Sequence, residues 1–484
     1  MGSLLAPSRG ACPGAPDGLG AGGADGLVGY VTDVEGDIDY WRRYVEFSKV
    51  LRRGPSGEVE LAAGAHFVFG GDATDQQSGD LQVLRELLRL RRRYPDRVHF
   101  VMGNRDCNKL RLRVELGEAH RLALPLREHP GPYWAKHVRP CNKLPEEELD
   151  RDSAELRLRW ILRDTMGSGN AFEHRREELR RAAGGAEVDD RAVVRSFLEA
   201  MGPGGELCEY LRAARPAIRL GAALFVHGGL PRVDGQGWVP GWLPAWEAGV
   251  AERRGVPLDE WVEELSRLAT TSMAEYAESL ASGTPPGADA WSVVGGYLHG
   301  QAGAALVQYA MRDMPDGSYQ PSIIYNGWLD HSYQPIPVDD PTMEWLRAAG
   351  VATIVSGHLP HGDAPLVLRV GEGVDAVTAD TSYAANVAWE GKLGEGTNHP
   401  HRGSSTVCEV LLGPEPGQGS VRGVLANGDA YEAELQDPLV GRVTADAWRC
   451  KGRAGGRLLL CRNDGWDFTN RLADPHEVTF VEAF

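Results

Sequence analysis

The chain has 484 residues, 42% of them hydrophobic, with 51 basic against 68 acidic side chains and a formal charge of −17. That length passes the size at which a single core stops growing, so one large domain with attachments is expected. The acidity argues against a nucleic-acid partner held through phosphates, no run approaches the ~18 apolar residues of a membrane span, and seven cysteines without a C-x-x-C pair point to reduced thiols in a cytoplasmic protein.

Residues 1–26 are rich in Gly, Ala and Pro, lack hydrophobic periodicity, and read as a disordered tail without the pattern of a secretory signal. Five apolar runs then read as buried strands: Gly29-Tyr30-Val31, His66 to Phe69, Val98 to Met102, Ala223 to Val226 and Ala352 to Val355. Between the first three, the spacing of Tyr40, Tyr44, Phe47 and Leu51 predicts one amphipathic helix. Asp80 as N-cap predicts a second, with Leu81, Leu84 and Leu88 inward and Arg85, Arg89 and Arg91 to Arg93 toward water. Charged helical segments follow at 145–166, 172–183, 187–201 and 205–214, making 107–220 a helical insertion placed to cap the strand ends. A tryptophan-rich piece (Trp238, Trp242, Trp246) precedes a helix near 258–281, and 322–337, with Tyr325-Asn326-Gly327-Trp328 and His331, reads as a loop on the substrate side. Past 405 the pattern turns to short strands, 407–412, 421–425, 431–435 and 457–461, with a hairpin turn at Asn427-Gly428-Asp429. They are expected to form a small C-terminal β extension, 403–484, packed on a main domain of 27–402.

Each of the five strands runs directly into polar residues: Asp33-Val34-Glu35-Gly36, Gly71-Asp72-Ala73-Thr74-Asp75, Gly103-Asn104-Arg105-Asp106, His227-Gly228-Gly229 and Gly357-His358. Ligand-type side chains at the ends of neighbouring strands converge on one edge of an α/β sheet. Oxygen and imidazole donors held there suit divalent cations. No G-x-S-x-G or phosphate-loop motif supplies a protein nucleophile.

In this order the segments resemble the motifs of the calcineurin-like metallophosphoesterases, D-x-H-G, G-D-x-x-D, G-N-H-[DE], H and G-H. The H-G-G triplet is most similar to the PPP-type protein phosphatases and the bacterial dinucleoside-tetraphosphate hydrolases. The resemblance covers roughly 28–385 and implies an α/β fold, a four-layer αββα sandwich. It implies two divalent metal ions, with Asp33, Glu35 and Asp72 on the first and Asp72, Asn104, His227 and His358 on the second. A hydroxide bridging such a pair would attack a phosphate ester or anhydride.

Two residues depart from the pattern. Glu35 stands in place of a metal-binding histidine, and an all-oxygen first site favours Mn²⁺ or Mg²⁺, with Fe or Zn possible at the second. Arg105 stands in place of the catalytic histidine. It cannot donate a proton, its pKa exceeding ~12, but it can grip a phosphate oxygen. Glu35 adds a negative unit and Arg105 returns a positive one, so the two are expected to compensate. Asp75 is expected to orient Arg105, and His361 and Tyr383 are candidate substrate contacts. Without a general acid, ~10²–10⁴ in rate is forfeited unless the leaving group departs unprotonated. The sequence thus leans toward anhydrides, acyl phosphates and aryl phosphates. The expected partner is a phosphorylated small molecule, nucleotide or phosphoprotein, with no membrane and no nucleic acid. The rival reading is a catalytically weak or inactive module that binds a phosphorylated partner.

Overall fold

The computed structural model describes residues 26–132, 134, 138–246, 251–282, 302–314, 316–330, 334–382, 387–390, 406–465 and 467–481. The expected tail, save residue 26, and His331 and Tyr383 lie outside them. In chain order, strand β1 (Val28–Val31) leads to helix α1 (Ile38–Phe47), β2 (His66–Phe69), α2 (Asp80–Arg93) and β3 (Val98–Phe100). After the helical insertion come β4 (Ala217–Leu220), β5 (Ala223–Val226) and the long α3 (Leu258–Ser282). Helix α4 (Asp340–Ala348), β6 (Thr353–Ser356), β7 (Leu366–Gly371), β8 (Val374–Thr378) and β9 (Val387–Trp389) follow. The chain ends in β10 (Val407–Leu412), β11 (Gly419–Val424), β12 (Ala430–Glu434), β13 (Arg449–Ala454), β14 (Arg457–Asp464) and β15 (Asp467–Ala473).

These strands build two main sheets, one of ten strands in the order β9-β15-β14-β13-β12-β11-β10-β1-β2-β3 and one of five in the order β7-β8-β6-β5-β4. The strands that carry the motifs are parallel within each sheet: β1 with β2, β2 with β3, β5 with β6. Side-chain alternation assigns the faces. Phe67 and Phe69 of β2 turn to Trp41 of α1, with ring centroids 6.1 and 6.5 Å apart. Val68, between them, turns the other way, into a cluster with Phe225, Val355 and Val377 of the second sheet. Tyr30 of β1 stacks on Phe225 at 5.8 Å, joining the two sheets directly. In α3, Trp261, Leu265, Leu268 and Met273 recur at helical spacing and are all buried. Each such side chain contributes ~1.5–3 kcal/mol by leaving water.

Several expectations are corrected in detail. Leu51 opens a short strand, because the helix stops at Ser48, and Trp41 takes the buried place on α1. Asp80 is the first helical residue rather than the N-cap, and its carboxylate accepts from Asp75 N–H (3.0 Å) and Arg175 (3.0 Å). The segment 145–166 is broken into Glu146–Leu149 and Ala154–Trp160, followed by a wide turn. The insertion carries a core of its own, including Leu112, Leu158, Trp160, Phe172, Val193 and Phe197. The largest difference lies past 405. Those strands extend the first sheet edge to edge, β10 pairing antiparallel with β1 so that Val28 faces Leu412, while Val421, Tyr431 and Leu459 pack in one buried cluster with Phe225, Val355 and Val367 of the second sheet. Glu409 of β10, fully buried, accepts from Ser48 Oγ (2.5 Å), Lys49 N–H (3.0 Å) and Arg422 (2.9 Å), locking the seam.

Candidate metal centre

The C-terminal ends of β1, β2 and β3 in one sheet and of β5 and β6 in the other meet at a single place, where α/β folds assemble their sites. One ligand atom each from Asp72, His227 and His358 lies within 4.8 Å of the others. Asn104 Oδ1 is 3.1 Å from His227 Nε2, and Asp33 Oδ2 accepts from the backbone N–H of His358 at 3.1 Å. His227 Nδ1 faces the carbonyl of Gly70 at 2.9 Å, which turns Nε2 toward Asp72 Oδ1 (3.5 Å) and Asn104 Oδ1. A neutral imidazole so oriented presents a lone pair to two oxygen acceptors, an arrangement that only a proton or a cation satisfies. The donor set therefore fits a divalent ion.

The backbone bends sharply to achieve this. Among the described residues, six that are not glycine have positive φ, and five of them are Asp33 (50°), Glu35 (51°), Asp72 (51°), Asp75 (113°) and His358 (68°). Each such conformation costs on the order of 1–3 kcal/mol and persists where the surroundings enforce it. Asp106 is one enforcer: its buried carboxylate accepts from the N–H groups of Asp72 (2.9 Å), Ala73 (3.0 Å) and Gly103 (3.1 Å). Two glycines are required by close approach. A Cβ at Gly103 would lie 2.0 Å from Asp72 Oδ1, and one at Gly357 would lie 2.2 Å from Asp33 Oδ2.

Electrostatics couples the cluster. Burial pushes the Asp72 carboxyl up, but His227 and Arg105 outweigh it and leave the group below the usual range. Burial lowers His227, and Asp72 reverses this, raising it to about 10. His358, half-buried, is lowered to about 3 by desolvation and by His227 facing it. Asp33 is held well above the usual range by burial and by Asp380. The lowered Asp72 and raised His227 describe a carboxylate–imidazolium pair, and a cation binding between them would displace that proton.

Arg105 and Glu35, the two departures from the motif, touch each other: Nε lies 2.9 Å from Glu35 Oε1. Arg105 also lies 3.5 Å from Asp72 and 3.9 Å from Asp75. The closer partner of Asp75 is Lys109, at 2.7 Å and buried. Arg105 Nη1 donates to Ser168 Oγ (2.8 Å) and to the carbonyl of Met166 (3.0 Å), so the helical insertion reaches the centre. Lys109 and Ser168 were not singled out in the sequence. Lys109 could have been, since it follows Arg105 by one helical turn; Ser168 carries no local signal. His361 is buried against Phe468 (5.1 Å), with Lys451 donating to its carbonyl, on the side of the C-terminal strands. Of the 322–337 segment, the described residues 325–330 border the centre. Tyr325 packs its ring 4.8 Å from that of His358, and both line a cleft of about 600 Å³ with Arg232 and Arg312.

No family model matches the chain, and no curated protein matches it. Among solved structures, a cold-active protein-tyrosine phosphatase of a psychrophilic Shewanella species matches with a TM-score of 0.39 at 14% identity, over 85% of this chain and 80% of that one. A protein serine/threonine phosphatase from Saccharomyces cerevisiae, described as similar to human phosphatase PP5, matches with a TM-score of 0.31 at 11% identity, over 95% of this chain and 82% of that one.

Proposed function

We propose that the chain is a metal-dependent phosphoester hydrolase. The observation that carries this is the convergence of Asp72, Asn104, His227 and His358 from strand ends of two sheets on one point, with Asp72 and His227 buried and His227 oriented as a ligand. A divalent ion held there would lower the pKa of a coordinated water and draw charge from the phosphoryl oxygens. The chain's own residues do the rest. Asp33 fixes the backbone of His358, Asp106 fixes the Asp72 loop, and Arg105 offers fixed positive charge to the phosphoryl group. The attacking water would release a proton to solvent as its oxygen bonds to phosphorus and the bond from phosphorus to the leaving oxygen breaks, and that oxygen would depart as an anion because Arg105 has no proton to give. Substrates that tolerate this are phosphoanhydrides, acyl phosphates and aryl phosphates, carried on a small molecule, nucleotide or protein.

The wider reading belongs to the same proposal. The two facing sheets with helices against them support a four-layer αββα sandwich over 27–402, with 107–220 as its cap, and free thiols at the six described cysteines support a cytoplasmic setting. No helix among the described residues is long and apolar enough to cross a membrane. The test is hydrolysis of an aryl phosphate and of a diadenosine polyphosphate by Mn²⁺-loaded protein, with Asp72→Asn as control. Manganese-dependent turnover that Asp72→Asn abolishes is expected. Retained manganese without turnover would favour the binding module instead, and no retained metal would end both readings.

A further inference from the structure

We propose that Arg105 stands in the place of a second cation, so that the chain binds one divalent ion rather than two. The inference rests on the metal-dependent reading above and narrows it. The first-site ligands implied by the motifs are Asp33, Glu35 and Asp72, and the Arg105 guanidinium is inserted among carboxylates of that very site. It contacts Glu35 at 2.9 Å, lies 3.5 Å from Asp72, and is 3.9 Å from Asp75. The two positions where the sequence exchanges a histidine for a charged residue are thus partners in space, one anion and one cation. Among the described residues, the group of carboxylate and imidazole ligand atoms at this centre close enough to hold an ion is Asp72, His227 and the half-buried His358; Asp33 and Glu35 do not join it.

The guanidinium is fixed from several sides. Its Nη1 donates to Ser168 and to Met166, and its backbone N–H donates to Asp72 at 2.9 Å. The carbonyl of Arg105 accepts from Lys109 at 2.9 Å. A divalent ion bound through Glu35 would have to share that carboxylate with the guanidinium and sit close against its charge. Guanidinium is planar, permanently charged and forked, which suits it to hold two carboxylates at once and to meet a phosphoryl oxygen beside the remaining ion. A chelator removes a metal; it cannot remove this cation.

The experiment is metal stoichiometry, not activity. The full-length protein, Arg105→Ala, Arg105→Met and the double variant Arg105→Ala/Glu35→Gln are dialysed against Mn²⁺ and assayed for bound manganese, with circular dichroism to verify folding. One ion per wild-type chain is expected, with the resolved paramagnetic spectrum of an isolated Mn²⁺. Two ions are expected in whichever single variants fold, and one again in the double variant, since Glu35 is then the ligand exposed by loss of the guanidinium. Two coupled ions in the wild type would overturn this inference and leave the hydrolase reading intact. One ion in the folded single variants would overturn it too. No ion in the wild type would overturn the hydrolase reading itself.

Discussion

Lys109→Met tests how the centre is supported. Lys109 and Asp75 are 1% and 0% exposed at their side chains, and Nζ sits 2.7 Å from the carboxylate. At that distance and an effective dielectric of ~20 the attraction is about 6 kcal/mol, set against the cost of removing both charges from water. Deleting the ammonium alone leaves Asp75 buried with Ser168 Oγ at 3.2 Å and Arg105 at 3.9 Å. Breaking a buried pair in this way costs about 3–5 kcal/mol; the nearby guanidinium places the expectation at the lower end, about 3 kcal/mol. For 484 residues the unfolding entropy is roughly 1 kcal/mol/K, so Tm should fall by about 3 °C. Denaturant unfolding followed by tryptophan fluorescence gives the free energy. The neutral double variant Lys109→Met/Asp75→Asn should recover most of the loss, because no buried charge is then left alone. A single variant within 0.5 kcal/mol of wild type, or a double variant no better than the single, would refute the argument.

Further outcomes follow from packing and protonation. Gly103→Ala should reduce manganese retention by more than tenfold at a stability cost of about 1–3 kcal/mol, because its methyl would enter the space of Asp72 Oδ1; equilibrium dialysis and denaturation read the two effects. His99, pushed down to about 3 by burial, with further lowering from His66 and Arg91, is protonated in the unfolded chain before the folded one. Its contribution to stability is therefore complete above pH ~6.5 and is lost as pH falls from there toward 3, by up to roughly 4 kcal/mol. His99→Gln should flatten the acid limb of stability measured across that window, and an unchanged slope would rule His99 out as its source.

The sequence made the strands legible because β1, β2, β3, β5 and β6 are short apolar runs bounded by glycine and polar residues, and their ends put the ligand-type residues at one edge. The helix over 258–281 was legible for the same reason, its apolar residues repeating with a helical period. What escaped depends on distance along the chain. Nothing near Arg105 says that Glu35, seventy positions earlier, will meet it, and nothing near Ser168 says that the insertion folds back to the centre. The left-handed turns at Asp33, Glu35 and Asp72 are not legible locally: glutamate does not favour them, and aspartate, which tolerates them better than most side chains, is too frequent elsewhere to mark them. The strands after 405 are legible as an extension packed on the main domain but not as its continuation, because local pattern reveals a strand but not its neighbour.

That neighbour is β1, and the pairing of Val28 with Leu412 closes a loop spanning most of the chain. On the ribosome, β1 must wait for β10 before its outer edge is covered. Until then it offers an unpaired row of N–H and C=O groups to any other nascent chain. Pairing over so long a separation is slow, so synthesis of this protein carries an interval of exposure that only its last strands end, and a chain halted before residue 407 would carry that open edge permanently.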